Sequence, residues 1–140
     1  MKILLTTLNS KYVHANLALK YLYTVVAGEY SDVEAREFTI NNDPHYVYGE
    51  ILRGGYDMVC FSCYIWNMDY VEELITEHHK LCPEVPIWVG GPEVSYEVET
   101  FLAEHPQVTG VMIGEGERTF QQLCKYYVNQ TGSLEEIRGI

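Results

Sequence analysis

The residues able to do chemistry fall into a few short runs. Cys60-Phe61-Ser62-Cys63 carries two thiols at C-x-x-C spacing, His78-His79 a pair of imidazoles, and Tyr12-Val13-His14 a third. Two glycine-rich runs complete the set, Val89-Gly90-Gly91-Pro92-Glu93 and Gly114-Glu115-Gly116-Glu117. A C-x-x-C pair holds a metal or cycles as a disulfide only where both sulfurs meet at a turn. Here the pair lies in an apolar run of strand character, where residues three apart project from opposite faces. With no second C-x-x-C, these cysteines read as structural. Neighbouring histidines on a helix do not face one another, so His78-His79 reads as a solvated helix face. No serine or cysteine has a base and an orienting group beside it, so no catalytic residue is assigned and an independent hydrolase is unsupported. His14 stands just past the first apolar run, where a helix starts. An imidazole there either ligates a metal or bonds to nearby backbone.

The glycine runs are more telling. Each ends an apolar segment, and glycine removes the side chain where a chain leaves a sheet, so that a ligand can approach the backbone. Pro92-Glu93 reads as the first turn of a new helix, proline early and an acid near the positive end of the dipole. Gly114-Glu115-Gly116-Glu117 has the glycines of a phosphate loop, but its two carboxylates would repel phosphate.

The elements that must position these runs alternate. Lys2 to Leu8 is apolar on both faces, as a central parallel strand is. A helix runs from about His14 to Ala27 and stops at Gly28. Val33 to Ile40 is a second strand, at an edge. Asp43 caps a helix with Pro44 at its first position, ending at Gly54-Gly55. Asp57 to Cys63 is a third strand, and a helix begun at Asn67 or Asp69 carries Val71, Leu74, Ile75 and His78 to Leu81. Val85 to Val89 is the fourth strand, Tyr96 to Glu104 a short helix, Thr109 to Ile113 the fifth strand. Glu117 to Asn129 is an amphipathic helix with Phe120, Leu123, Cys124 and Tyr127 inward. The fold class is therefore α/β: a doubly wound, five-stranded parallel sheet of order 2-1-3-4-5, Rossmann-like or flavodoxin-like, with helices on both faces. Such a sheet binds ligands at its carboxyl edge, near the switch point between strands one and three. Residues 1–131 form the domain; 132–140 start a new element, as at a boundary with a further domain.

Bulk properties narrow the classes. A chain of 140 residues, 47% hydrophobic and 21% charged, is one globular domain. A formal charge of -11 with only nine Lys and Arg argues against nucleic acid and anionic lipid as partners. No segment reaches about 18 consecutive apolar residues, and the amino terminus lacks a signal peptide, so a cytoplasmic location with reduced cysteines is expected. The loop after strand one, Asn9 to His14, has no glycine, which excludes a dinucleotide fingerprint and a P-loop and disfavours a flavin or nucleotide domain. Strand ends at Leu8-Asn9 and Ser62-Cys63-Tyr64 lack the acids of a phosphoacceptor receiver.

The whole chain resembles the amino-terminal cobalamin (B12)-binding domain of B12-binding radical S-adenosylmethionine proteins. The matching places are Lys2-Ile3-Leu4-Leu5 into Asn9-Ser10-Lys11-Tyr12, Leu17-Ala18-Leu19-Lys20-Tyr21-Leu22, Asp57-Met58-Val59-Cys60-Phe61-Ser62, Val89-Gly90-Gly91-Pro92-Glu93 and Gly114-Glu115-Gly116-Glu117-Arg118-Thr119-Phe120. The resemblance implies that the nucleotide tail of cobalamin slides between the sheet and its helices, past Ser62, Gly90 and Gly91. A side chain at either glycine would occupy that space. It also implies that Ser62, Tyr64 and Asn67 bond the tail and corrin amides, that Asn9, Ser10, Lys11, Tyr12 and His14 face the corrin, and that Pro92, Glu93, Gly114, Glu115 and Gly116 complete the cofactor contacts. The related D-x-H-x-x-G motif, whose His binds cobalt, is altered here: Tyr12 replaces its Asp and Leu17 its Gly. Without the carboxylate that orients the imidazole, no metal ligand is assigned, and His14 is a weak candidate for the lower cobalt ligand. The radical domain's C-x-x-x-C-x-x-C motif is absent. The implied function is a cobalamin-holding module of a larger enzyme, for methyl transfer or rearrangement, with a carboxy-terminal radical S-adenosylmethionine domain as partner. S-adenosylmethionine and the [4Fe-4S] cluster belong to that domain. The alternative is a degenerate docking or substrate-shaping domain that binds no cobalamin.

Overall fold

The structure, a computed structural model, describes residues 1–10, 16–114 and 116–137. Five strands form one parallel sheet in the order β2-β1-β3-β4-β5. They are β1 (Ile3–Asn9), β2 (Val33–Thr39), β3 (Met58–Ser62), β4 (Ile87–Gly90) and β5 (Gly110–Met112). Between them run α1 (Leu17–Ala27), α2 (Pro44–Gly54), α3 (Met68–Leu81) and α4 (Val98–Glu104), and α5 (Glu117–Asn129) follows β5. The strand order and the helices match the expected doubly wound α/β fold.

The sheet divides two apolar cores. Leu4, Leu8, Val59, Phe61, Ile87 and Val89 look toward the side covered by α2, α3 and α4, where Val47, Ile51, Val71, Leu74 and Ile75 meet them. Ile3, Leu5, Met58, Cys60, Trp88 and Met112 look toward α1 and α5, against Leu19, Val26, Phe120, Leu123 and Cys124. The period-two alternation of the strands makes this division. Cys60 and Cys63 accordingly fall in different cores, and all four cysteines are free thiols. Burial pushes the Cys63 and Cys124 thiols up to about 12, so both stay protonated and inert. Leu134 and Ile137, beyond α5, pack partly buried against the second core.

Local punctuation matches residue chemistry at α2. Asp43 accepts a hydrogen bond from the His45 main-chain N–H at 2.8 Å, Pro44 opens the helix, and Gly55 closes it in the left-handed region at φ 63°. Two expectations are corrected. His78 is 3% exposed rather than solvated, because it continues the Val71, Leu74, Ile75 stripe at helical spacing. Pro92-Glu93 opens no helix: residues 91–97 form a loop, and α4 begins at Val98 after Glu97 at φ 49°. Among the described residues no helix is long and apolar enough to cross a membrane.

Candidate functional site

A cavity of about 360 Å³ opens at the carboxyl edge of the sheet, between the second core face and α1. Its sheet side is made by Leu5, Cys60, Ser62, Gly90 and Met112, and its helix side by Ala18, Leu19 and Leu22. The exits of β3, β4 and β5 close the rim with Tyr64, Gly91, Pro92, Ser95, Tyr96, Gly114 and Gly116. The slot exists because residues shrink along this face of the sheet. Trp88 fills the core and bonds through its indole N–H to the Tyr127 hydroxyl at 3.1 Å; two residues on, the same face carries only Gly90 beside Ser62. Gly110 makes the room for Trp88, since a Cβ there would lie 2.5 Å from the indole ring.

The two central glycines differ. A Cβ on Gly90 would approach the Met112 carbonyl oxygen at 3.3 Å, next to the slot. A Cβ on Gly91 would instead strike the Cys63 main chain at 2.5 Å, and its φ is 102°. Gly91 is thus required by the close crossing of two strand exits, where the Cys63 N–H donates to the Gly90 carbonyl at 2.7 Å. Its hydrogen-bearing face still lines the cavity.

Of the residues expected at the site, Ser62, Tyr64, Gly90, Gly91, Pro92, Gly114 and Gly116 come together around this one cavity. Asn67 does not line it. Its side chain is 1% exposed, its amide N–H groups point at Leu8 O (3.0 Å), Ser62 O (3.3 Å) and Thr7 Oγ1 (3.3 Å), and its Oδ1 accepts from the Tyr64 N–H at 2.8 Å. It is a clamp between the ends of β1 and β3. Asn9 lies at the end of β1 and donates to Glu37 at 2.9 Å, away from the lining; Ser10 and Glu93 are exposed and also outside it. Lys11, Tyr12, His14 and Glu115 lie outside the described residues.

Tyr64 is held at the mouth. Glu37 accepts from the Asn16 main-chain N–H at 2.5 Å, Asn16 Oδ1 caps α1 through the Leu19 N–H at 2.9 Å, and Asn16 Nδ2 donates to the Tyr64 hydroxyl at 3.1 Å. The Tyr64 ring stacks on Trp66 at 4.5 Å and 3°, and the Trp66 indole N–H donates to Leu8 O at 3.1 Å. Ile65 and Tyr96 stand about four-fifths exposed beside this rim. The apolar lining from Leu5, Leu19, Leu22 and Met112 escaped the sequence reading because these residues look like ordinary core; Ala18, small amid larger neighbours on α1, is the one signal. Among the described residues no cluster of three potential metal ligands exists.

Residues 3–124 match the family described as B12 binding domain. The chain belongs to the B12-binding domain family. Solved structures share this fold. One is the cobalamin-dependent S-adenosylmethionine radical enzyme OxsB with aqua-cobalamin and S-adenosylmethionine bound, at TM-score 0.77 and 18% identity, covering 99% of this chain and 20% of that one. Another is a cobalamin-binding protein from Desulfitobacterium hafniense, at TM-score 0.62 and 11% identity, covering 89% of this chain and 58% of that one. By sequence the chain is 37% identical over 70 residues to the 2-(S-pantetheinyl)-carbapenam-3-carboxylate methyltransferase of Streptantibioticus cattleyicolor, a stretch covering 48% of this chain and 10% of the methyltransferase. The chain thus covers about a fifth of OxsB and a tenth of the methyltransferase. At 360 Å³ the cavity is large enough for a heteroaromatic group and too small for a whole corrin ring.

Proposed function

We propose that the slot takes the nucleotide tail of cobalamin and that the chain serves as the cobalamin-holding module of a larger radical S-adenosylmethionine enzyme. The observation that carries the reading is the slot itself, largely apolar on both walls and open at the carboxyl edge where Gly90 leaves bare backbone beside the small Ser62. Leu5, Leu19, Leu22 and Met112 would enclose the lower base, the Ser62 hydroxyl would donate to its ring nitrogen, and Tyr64 and Tyr96 would border the corrin at the mouth. Bound cobalamin supplies a cobalt able to carry a methyl group or to take part in a rearrangement. The chain's own residues bind and orient the group and keep water from its tail. S-adenosylmethionine and an iron-sulfur cluster would come from a radical domain, with the exposed Ile65, Trp66 and Tyr96 rim turned toward it. OxsB and the carbapenam methyltransferase, both much longer than this chain, support that assignment.

Ala18→Trp tests the slot. Ala18 is an exposed position on α1 that borders the cavity, so an indole there plugs the slot at little cost to the fold. The variant should unfold within about 0.5 kcal/mol of the parent in denaturant. Its retention of hydroxocobalamin after desalting, read from visible absorbance, should fall at least tenfold. Equal retention by parent and variant would remove the slot from the binding site.

A further inference from the structure

The slot's lining carries a preference for the kind of tail it accepts. Among the described residues that line it there is no carboxylate, carboxamide, imidazole or cation. Its polar side chains are Cys60, Ser62, Tyr64, Ser95 and Tyr96. Ser95 gives its hydroxyl proton to the Gly91 carbonyl at 2.7 Å, the Tyr64 hydroxyl accepts from Asn16 at the mouth rather than between the walls, and Tyr96 is 79% exposed. The Cys60 thiol is buried, a weak donor. Among the described residues, the Ser62 hydroxyl is the one strong side-chain donor left uncommitted between the walls of Leu5, Leu19, Leu22 and Met112.

From this we infer that the domain selects cobamides by their lower base, taking a benzimidazole and disfavouring a purine. The inference rests on the tail-in-slot reading above. A dimethylbenzimidazole released from cobalt presents a single ring nitrogen, which one hydroxyl satisfies, and two methyl groups that gain from apolar walls. An adenine base in the same place presents an exocyclic amine and three ring nitrogens. The one uncommitted wall hydroxyl can donate to a single ring nitrogen, so the other two would lose water without a side-chain donor between the walls. An apolar site discriminates against an added polar group by a factor on the order of ten to a hundred.

Equilibrium titration of the chain, followed by visible absorbance, with three corrinoids tests this. They are cobalamin, the adenine-based cobamide and cobinamide, which has no nucleotide tail. Cobalamin should bind tightest, with the adenine cobamide weaker by roughly ten- to a hundredfold. In Leu22→Gln, which places a carboxamide on the partly buried helix wall, that gap should narrow at least threefold. Equal affinity for cobalamin and the adenine cobamide overturns the selectivity and leaves the slot reading intact. Equal affinity for cobalamin and cobinamide overturns the slot reading and the selectivity with it. Failure to bind any corrinoid overturns the cobalamin assignment itself.

Discussion

Gly90 and Gly91 are adjacent, yet substitution should separate them. Gly91→Ala forces a Cβ to 2.5 Å from the Cys63 carbonyl oxygen at a φ of 102°, where only glycine is unstrained. The variant should lose about 1–3 kcal/mol or more in denaturant unfolding. Gly90→Val brings its Cβ to 3.3 Å from the Met112 carbonyl oxygen, a tight contact short of the overlap at Gly91, and places its branches beside the slot. It should be the milder folding defect and the stronger binding defect, with cobalamin affinity down at least tenfold. Measuring both quantities on both variants checks the contrast; parallel losses would mean that the two glycines act alike. Asn67 shows the same separation from the other direction. Its buried amide joins the ends of β1 and β3 and holds the Tyr64 main chain, so Asn67→Ala strands the Tyr64 N–H and takes one donor each from Leu8 O and Ser62 O, which keep Trp66 and Thr7. That should cost about 2–3 kcal/mol in stability.

The α3 helix turns a surface-looking motif into a core one. His78 shares the inward stripe of Val71, Leu74 and Ile75, and its Nδ1 has no hydrogen-bond partner among the described residues. Burial holds this imidazole below its ordinary pKa of 6.5. The unfolded chain therefore takes up the proton more readily than the folded one. The associated stability is complete above about pH 6.5 and declines on acidification until the folded-state pKa is passed. His78→Met should reduce the drop in Tm between about pH 7.5 and about pH 5, because one buried base no longer has to charge. Thermal melts of parent and variant at the two pH values check the sign; an unchanged drop would place the acid sensitivity elsewhere. The doublet misled because adjacency draws the eye to His78-His79 as a pair, whereas helical spacing assigns each residue to its own face. The loop after β4 misled for a related reason. Proline followed by an acid is helix-start chemistry, but Gly91 at positive φ and the 3.4 Å bond from the Glu93 N–H to Cys63 O hold that segment as a strand exit.

At the scale of the whole molecule, the sheet order was legible because parallel strands buried on both faces carry apolar runs, and glycine marks the exits of β4 and β5. The site was legible at its rim and at the small residues of its sheet wall. Ser62, Tyr64, Gly90 and Gly114 interrupt the pattern and so stand out, while Leu5, Leu19 and Met112 obey it and vanish into the core. That division has a consequence for stability. The slot's walls come from β1, β3, β4, β5 and α1, with the start of α5 at its rim, so a tail seated there is enclosed by elements distant in sequence. A ligand held this way binds the folded chain and not the unfolded one, and raises stability by RT ln(1 + [L]/Kd). At about a hundred times Kd, cobalamin should add about 2.7 kcal/mol, a rise in Tm of about 10 °C for a chain of this size. Cobinamide at the same concentration should give a clearly smaller rise, because it leaves the slot unfilled, and Ala18→Trp should abolish the difference between the two. A melt that cobalamin and cobinamide shift equally in the parent would mean that only the rim holds the cofactor, and that the second core gains nothing from its tail.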